Sequence, residues 1–285
     1  MRLFLEKIRL ALLKRSGKAA NKKNHAAWAA KGYNNAPRIS FVFQTHNKSV
    51  AMEHLVPKLR KVANAEIIVI DDGSDIDHTA RLARLLTGAN EFLFRANDLY
   101  ENVTYDRCLR LANGDFVALL QDDDDFDTLQ WVDDAVRHFD AHPEMVILGG
   151  KNALEMHFDD AAKMFDSRAV AVEAGTDFCY AMAVNRAPMW VRRSLFLEHL
   201  KHIDFRLAPF QFDDDELCAR AWMQGLQVGW YDAQFKSLTA GGMRLWNRAF
   251  TQEQMARNGR LLYERCASER DAIAQKVAEA QNTLL

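Results

Sequence analysis

The sequence predicts an α/β protein centred on a doubly wound, mostly parallel sheet with helices on both faces. Three observations carry that prediction. Short apolar runs, of which Phe116, Val117, Ala118, Leu119 and Leu120 form the clearest, read as strands buried on both faces, as in the middle of a parallel sheet. These runs alternate with longer helical stretches, the β-α repeat of a doubly wound fold. The runs end in polar or acidic turns, at Thr45, at Asp71 and at Asp122. An open α/β sheet takes its ligands beyond the carboxyl ends of its strands, so the three turns are expected on one edge.

In chain order, the first element is a basic helix. Arg2, Lys7, Arg9, Lys14, Arg15, Lys18, Lys22, Lys23, Lys31 and Arg38 stand against Glu6 alone, with Leu3, Phe4, Leu5, Ile8, Leu10, Leu12 and Leu13 among the first of them. The amphipathicity is moderate and leaves two readings open. Residues 1–23 dock on an anionic membrane surface or a partner, or the helix packs on the protein's own surface. A strand over 39–44 then ends in the polar turn Thr45, His46, Asn47, and a helix over 50–62 follows. A strand over 66–70 ends in Asp71, Asp72, Gly73 and Ser74, followed by a helix over 76–86 and a strand over 92–95. The helix over 101–112 stops at Asn113 and Gly114. After the central strand and its acids, Asp127 is expected to cap the next helix, with Gln130 completing a capping box. His142 and Pro143 break that helix before a strand over 145–148.

The second half is less regular. Residues 151–187 read as short strands and loops, 189–192 as a strand and 194–200 as a helix. Asp213, Asp214, Asp215 and Glu216 open a helix, where acids favour the macrodipole, and Gly225 stops it. A strand over 227–231, a loop with Gly241 and Gly242 that can move over a ligand, and a helix over 251–280 complete the chain.

Composition bounds the function. A chain of 285 residues allows one large domain or two small ones. A net charge of −2 gives no general attraction to nucleic acid. The four cysteines, Cys108, Cys179, Cys218 and Cys266, form no CxxC pair, so neither a zinc site nor a disulfide framework is indicated and a reducing, cytoplasmic location is expected. No apolar run approaches the roughly 20 residues of a membrane span, and Glu6, Lys7 and Arg9 interrupt any signal-peptide core. Neither a dinucleotide fingerprint nor a P-loop occurs.

Asp122, Asp123, Asp124 and Asp125 are consecutive. Like charges this close repel, so the run costs stability unless a cation sits there. At a strand end it suits a hard divalent cation, Mn2+ or Mg2+, shared with phosphate oxygens. The plainer alternative is a solvated acidic turn.

Four motifs, in order and spacing, resemble glycosyltransferase family 2, whose members have the GT-A fold. The first is the strand and turn Gln44, Thr45, His46, Asn47; the second is Val69, Ile70, Asp71, Asp72, Gly73, Ser74. The third is Ala112, Asn113, Gly114, Asp115, Phe116, its strand, and then Asp122 to Asp124; the fourth is Asp213, Asp214, Asp215, Glu216, Leu217, Cys218, Ala219, Arg220. The resemblance spans about residues 38 to 265. It implies an inverting, metal-dependent enzyme that moves a sugar from a nucleotide sugar, with UDP the expected nucleotide, to a saccharide or lipid-linked acceptor in surface polysaccharide or lipopolysaccharide synthesis.

Residue by residue, the resemblance implies nucleotide contacts at Thr45, Asp71, Asp72 and Asp122, and metal contacts at Asp123 and Asp124. It makes Asp214 the general base, with Asp213 the runner-up. Arg192 and Arg193, beside Pro188 and Trp190, are acceptor-side candidates; they also read as a solvated pair, and Trp190, Trp222, Trp230 and Trp246 also read as core. Asp71 and Asp72 before Gly73 also read as a simple turn. Three departures stand out. Gln121 replaces the first acid of the metal run, and Thr104, Tyr105, Asp106 replace a common Ala-Arg-Asn. Lys236 and Ser237 stand where many members carry a late metal-binding His; Lys236 or Arg244 is then a candidate for the phosphates. The expected organisation is an extension over 1–36, a catalytic domain over 37–250 with a nucleotide half (37–150) and an acceptor half (151–250), and a C-terminal helix over 251–285. The alternatives are a GT-A-like nucleotide-binding scaffold without turnover and a Mg2+-dependent nucleotidyltransferase, which usually carries a Gly-rich basic loop that residues 44–52 lack.

Overall fold

The computed structural model describes residues 2–30, 32–237 and 247–284; Gly241, Gly242, Arg244 and Trp246 lie outside the described residues. The elements in order are α1 (Arg2–Ala29), β1 (Ile39–Thr45), α2 (Ser49–Leu59), β2 (Ala65–Asp72), α3 (Ile76–Leu85), β3 (Glu91–Ala96), α4 (Tyr100–Leu111), β4 (Phe116–Gln121), β5 (Asp124–Asp125), α5 (Gln130–Ala141), β6 (Met145–Gly149), β7 (Ala153–Asp159), β8 (Met164–Ala169), β9 (Cys179–Tyr180), β10 (Ala183–Val184) and β11 (Met189–Arg192). There follow α6 (Arg193–Leu195), which continues as a π turn (Phe196–Leu200), α7 (Asp213–Met223), β12 (Gln227–Trp230), β13 (Lys236–Ser237), α8 (Arg248–Cys266) and α9 (Arg270–Asn282).

Eight strands form the main sheet in the order β3-β2-β1-β4-β11-β6-β12-β9. The first four are parallel. β11 runs antiparallel between β4 and β6, β12 lies parallel to β6, and β9 closes the edge antiparallel. Because β4 and β6 both oppose β11, they point the same way. The carboxyl ends of β1, β2, β4, β6 and β12 therefore share one edge. β7, β8 and β10 make a second, three-stranded sheet, and β5 pairs with β13 in a two-stranded ribbon.

Alternation along the strands divides the core in two. Phe41, Phe43, Ile67, Val69, Ala118, Leu120 and Trp190 pack under α2, α3 and α5. Val42, Ile68, Ile70, Val117, Leu119 and Val191 pack under α4, α7, α8 and α9. Each fully buried Phe, Leu or Val stabilises by roughly 1.5–3 kcal/mol, which is why the central strands are apolar on both faces.

Two local expectations fail. Asp127 does not cap α5: the helix starts at Gln130 after Leu129 with no side-chain cap. Lys236 on β13 instead pairs with Asp127. The single C-terminal helix is two, because a 3-10 turn at Ala267–Glu269 lets Leu262 and Cys266 before it and Ile273 and Ala280 after it all reach the core.

In α1, Leu3, Phe4, Leu5, Leu10 and Leu12 are more than half exposed, so these side chains do not pack on the body of the protein. The segment after it is anchored: Tyr33 meets Phe92 edge to face, Asn34 N donates to Asn90 Oδ1 at 2.8 Å, and Asn90 Nδ2 donates back to Asn34 O at 2.8 Å. Among the described residues no helix is long and apolar enough to cross a membrane.

Candidate active site

Strand register brings the three predicted turns together. Thr45 lies opposite Asp71, and Gln44 opposite both Ile70 and Gln121. Thr45 Oγ1 donates to Asp122 Oδ2 at 2.6 Å, joining the first turn to the acidic run. Asp71 Oδ1 accepts from Ser74 N at 3.1 Å and Oδ2 from Thr79 Oγ1 at 2.5 Å. Asp72 accepts from the backbone N–H groups of Leu99 and Tyr100 at 2.9 and 2.7 Å and from Gln44 Nε2 at 3.2 Å, which fixes the start of α4 against β2. Asn47 N donates to Ser74 Oγ, and Asp75 N to Asn47 Oδ1, both at 2.8 Å, so the first two turns are locked to each other.

The repulsion within the acidic run is relieved by lysines from separate elements. Lys48, just before α2, sits 2.9 Å from Asp122 Oδ1 and 3.9 Å from Asp123. Lys151, just beyond β6, donates to Asp124 Oδ1 at 2.9 Å and to Ser237 Oγ at 3.1 Å. Lys58 and His54 of α2 hold Asp125. Burial pushes the Asp122 carboxyl up despite Lys48, while Asp122 outweighs desolvation and pushes Lys48 up as well. The carboxylate bears more of the burial cost because its side chain is 11% exposed against 31% for the lysine. Burial likewise raises Asp124 against the pull of Lys151. At Asp125 burial is outweighed by the Lys58 and His54 hydrogen bonds, and the carboxyl falls. Asp124 Oδ2 is buried and has no hydrogen-bond partner among the described residues.

The second acidic cluster opens α7. Asp213 is 1% exposed and receives Arg186 in a fork, at 2.8 and 3.0 Å. Glu216 receives Arg220 at 3.0 and 2.8 Å and Arg265 at 2.8 Å. Asp215 is buried beside Ser167, and burial first, then the Asp214 charge, pushes its carboxyl well above the usual range. Of the four acids only Asp214 is not buried. Burial opposes the charge on Arg186, but Asp213, Asp214 and Glu101 outweigh it and raise the guanidinium further. Glu101 Oε2 lies 3.5 Å from Arg186 Nη2, and Glu101 Oε1 lies 3.5 Å from Gln121 Nε2. A polar chain Gln121–Glu101–Arg186–Asp213 therefore runs from the acidic run to the start of α7.

The acceptor-side candidates are not at this edge. Arg192 lies opposite Phe116, at the other end of β4 from the acids. It donates to the carbonyls of Met145, Phe139 and His142 at 3.0, 2.5 and 3.1 Å, and its guanidinium stacks on Phe116 and Phe139. Arg193 donates to Leu109 O at 3.1 Å. Trp190 is fully buried, its Nε1 bonded to the Tyr231 hydroxyl at 3.0 Å, in line with the core reading. Four residues that sequence reasoning missed enter the site instead: Lys48, Glu101, Lys151 and Arg186. Two carried a signal, since Lys48 directly follows the first turn and Lys151 follows the carboxyl end of a buried strand.

Residues 40–165 match the family model described as glycosyl transferase family 2. No curated protein matches the sequence. Among solved structures, the mannosyltransferase PcManGT from Pyrobaculum calidifontis, in complex with GDP-Man and Mn2+, aligns over 84% of this chain and 70% of its own at 15% identity and a TM-score of 0.55. GalNAc-T7 with UDP, GalNAc and Mn2+ aligns over 70% of this chain and 43% of its own at 17% identity, TM-score 0.56. Residues 1–349 of S. aureus TarS with UDP-GlcNAc align over 74% of this chain and 61% of their own at 16% identity, TM-score 0.54. The chain thus spans less than two thirds of the latter two. Over residues 40–165 the chain is thus similar to glycosyl transferase family 2, and as a whole it has the GT-A-type fold of these solved structures.

Proposed function

We propose that this chain is a glycosyltransferase that moves a sugar from a nucleotide sugar, UDP-linked in the first instance, to a hydroxyl of a saccharide or lipid-linked acceptor, with inversion at the anomeric carbon. The observation that carries this reading is the meeting of Thr45, Asp71 and Asp122 on one strand edge, joined through Glu101 and Arg186 to the start of α7. Thr45, Asp71, Asp72 and Asp122 form the base and ribose side of the donor site. Asp214 takes the acceptor proton as the acceptor oxygen bonds to the anomeric carbon and the bond to the diphosphate breaks. Asp213, held by Arg186, positions the turn that presents Asp214.

A divalent cation fits this donor set. Carboxylates are hard ligands, and the buried Asp124 Oδ2 has no partner among the described residues. Asp123 and Asp124 are the residues that would hold Mn2+ or Mg2+. No cluster of three or more metal-binding side chains occurs among the described residues, and oxygens of the diphosphate and water would supply the further ligands. Bound there, the ion supplies charge neutralisation to the leaving diphosphate. The Mn2+ complexes of two structural neighbours support that assignment. The acceptor chemistry, a surface polysaccharide or lipopolysaccharide precursor, goes with a cytoplasmic enzyme held at an anionic membrane face by residues 1–23.

The test is a donor screen. UDP- and GDP-sugars are offered with a panel of saccharide acceptors, and nucleoside diphosphate release is followed in Mn2+, Mg2+ and EDTA. Release with one donor class, strengthened by metal, is the expected result. Diphosphate binding without any release would favour a nucleotide-binding scaffold.

A further inference from the structure

Lys151 is placed by rigid backbone. It follows Gly149 and Gly150, whose carbonyls accept from Tyr231 N and Ala233 N at 3.0 and 3.1 Å, while Gly150 N donates to Pro188 O at 3.0 Å. A Cβ on Gly150 would lie 2.5 Å from Ala233 Cβ and 2.6 Å from Pro188 Cγ, so the backbone here packs closely against both. From this base the ammonium reaches Asp124 on one side and Ser237 on the other. Its side chain is 30% exposed, against 3% for Asp124. The lysine is therefore open to solvent on the edge where the donor binds, while the carboxylate beneath it is closed off. Asp124 Oδ2, buried and without a partner among the described residues, leaves the pair one charged contact short of satisfaction.

We propose that Lys151 is a built-in counter-cation of the donor site. It neutralises Asp124 while no donor is bound, and turns its ammonium to the diphosphate when a nucleotide enters. A lysine ammonium has three donors on a flexible stem, so this exchange needs only rotation of the side chain. The diphosphate then meets a fixed positive charge whether or not a metal ion is present, and Asp124 is released to ligate a metal when one is available. The inference deepens the proposed function and rests on it.

Calorimetric titration of UDP and of GDP tests it, each in Mn2+ and in EDTA, on the wild-type chain, Lys151→Ala and Lys151→Arg. Mn2+ alone is titrated against the same three proteins. The wild type should bind one diphosphate in EDTA, and Lys151→Ala should weaken that binding by about tenfold or more, as expected for losing a hydrogen bond to a charged group. Lys151→Arg should retain most of it. In Mn2+ the Lys151→Ala deficit should shrink, and Mn2+ alone should bind Lys151→Ala more tightly than wild type. Equal EDTA affinities for wild type and Lys151→Ala, both melting at the same temperature, would overturn the inference, as would a wild type that binds only in Mn2+; either leaves the proposed function standing. A wild type that binds neither diphosphate under either condition overturns both.

Discussion

At Asp213 the carboxylate is fully engaged by the Arg186 fork and sealed from solvent, whereas Asp214, one residue on, is the acid of its cluster that the fold leaves accessible. A general base needs access to the acceptor hydroxyl. Asp214→Asn should keep nucleoside diphosphate affinity and lose about 100-fold or more in single-turnover transfer; near-wild-type turnover would remove Asp214 from the role. Asp213→Asn should act on stability instead, because it leaves the buried guanidinium with a weaker partner, at a cost of about 3 kcal/mol in denaturant unfolding. A second residue contributes to the acid-side pH dependence of stability. His138 is stacked on Phe178, beside Arg137, Asp134, Asp177 and His142, and burial first, then the Arg137 charge, lowers it from 6.5 to about 4. The unfolded chain takes that proton first as pH falls. Its contribution is complete above about pH 6.5 and is lost toward pH 4, by at most about 1.4 kcal/mol per pH unit. His138→Phe should flatten that part of the stability curve relative to wild type in urea melts across the range. At this scale Thr45, Asp71 and Asp122 were legible because each sits at a strand end in a recognisable turn. Arg186 and Glu101 were not, because their partners lie far away in the sequence and no local spacing records them.

The element that holds the bend before α7 is α8, though it contributes no acid to the site. Gln211 and Phe212 precede Asp213 with φ of 81° and 62°, the left-handed region that side chains with a Cβ disfavour. Asn258 of α8 faces this bend, with Nδ2 2.8 Å from Leu207 O and 2.9 Å from both Phe210 O and Gln211 O. The amide holds two strained residues in place and thereby aims the first turn of α7. Asn258→Ala should destabilise the protein by about 1–3 kcal/mol. It should also lower turnover while diphosphate affinity stays near wild type, because the donor edge is built on other elements. An unchanged transfer rate in a stably folded Asn258→Ala would mean that α7 holds its own geometry. The acids of α7 were visible in the sequence, and so was the helix they open. Their orientation was not, since it depends on an asparagine in a helix whose charge pattern reads as ordinary surface.

On the scale of the whole molecule, α1 stands apart from the site. Its leucines are exposed among lysines and arginines, and the chain after it is tied to β3 through Tyr33 and Asn34. A chain beginning at Gly32 keeps those ties. It should melt at the temperature of the full chain and lose sedimentation with anionic vesicles, each basic residue near such a surface contributing about 1 kcal/mol at low salt. Equal, low pelleting of both chains would reject membrane docking. The strands and helices of residues 37–150 were readable from the alternation of apolar runs and helical stretches. Residues 151–250 were harder: β9 and β10 have two residues each, too short for periodicity to register.

The position of β11 matters before the protein is ever folded. It lies between β4 and β6, yet its residues, Met189–Arg192, leave the ribosome after both neighbours. A nascent chain that has emerged only as far as Gly150 carries two finished strands with a gap where the strand between them belongs. Each presents an open backbone edge and apolar side chains on both faces, the combination most prone to pair with another chain. Residues 37–150 are thus not expected to fold ahead of residues 151–250 during synthesis. A fragment ending near Gly150 should accumulate in inclusion bodies rather than as an isolated nucleotide-binding domain.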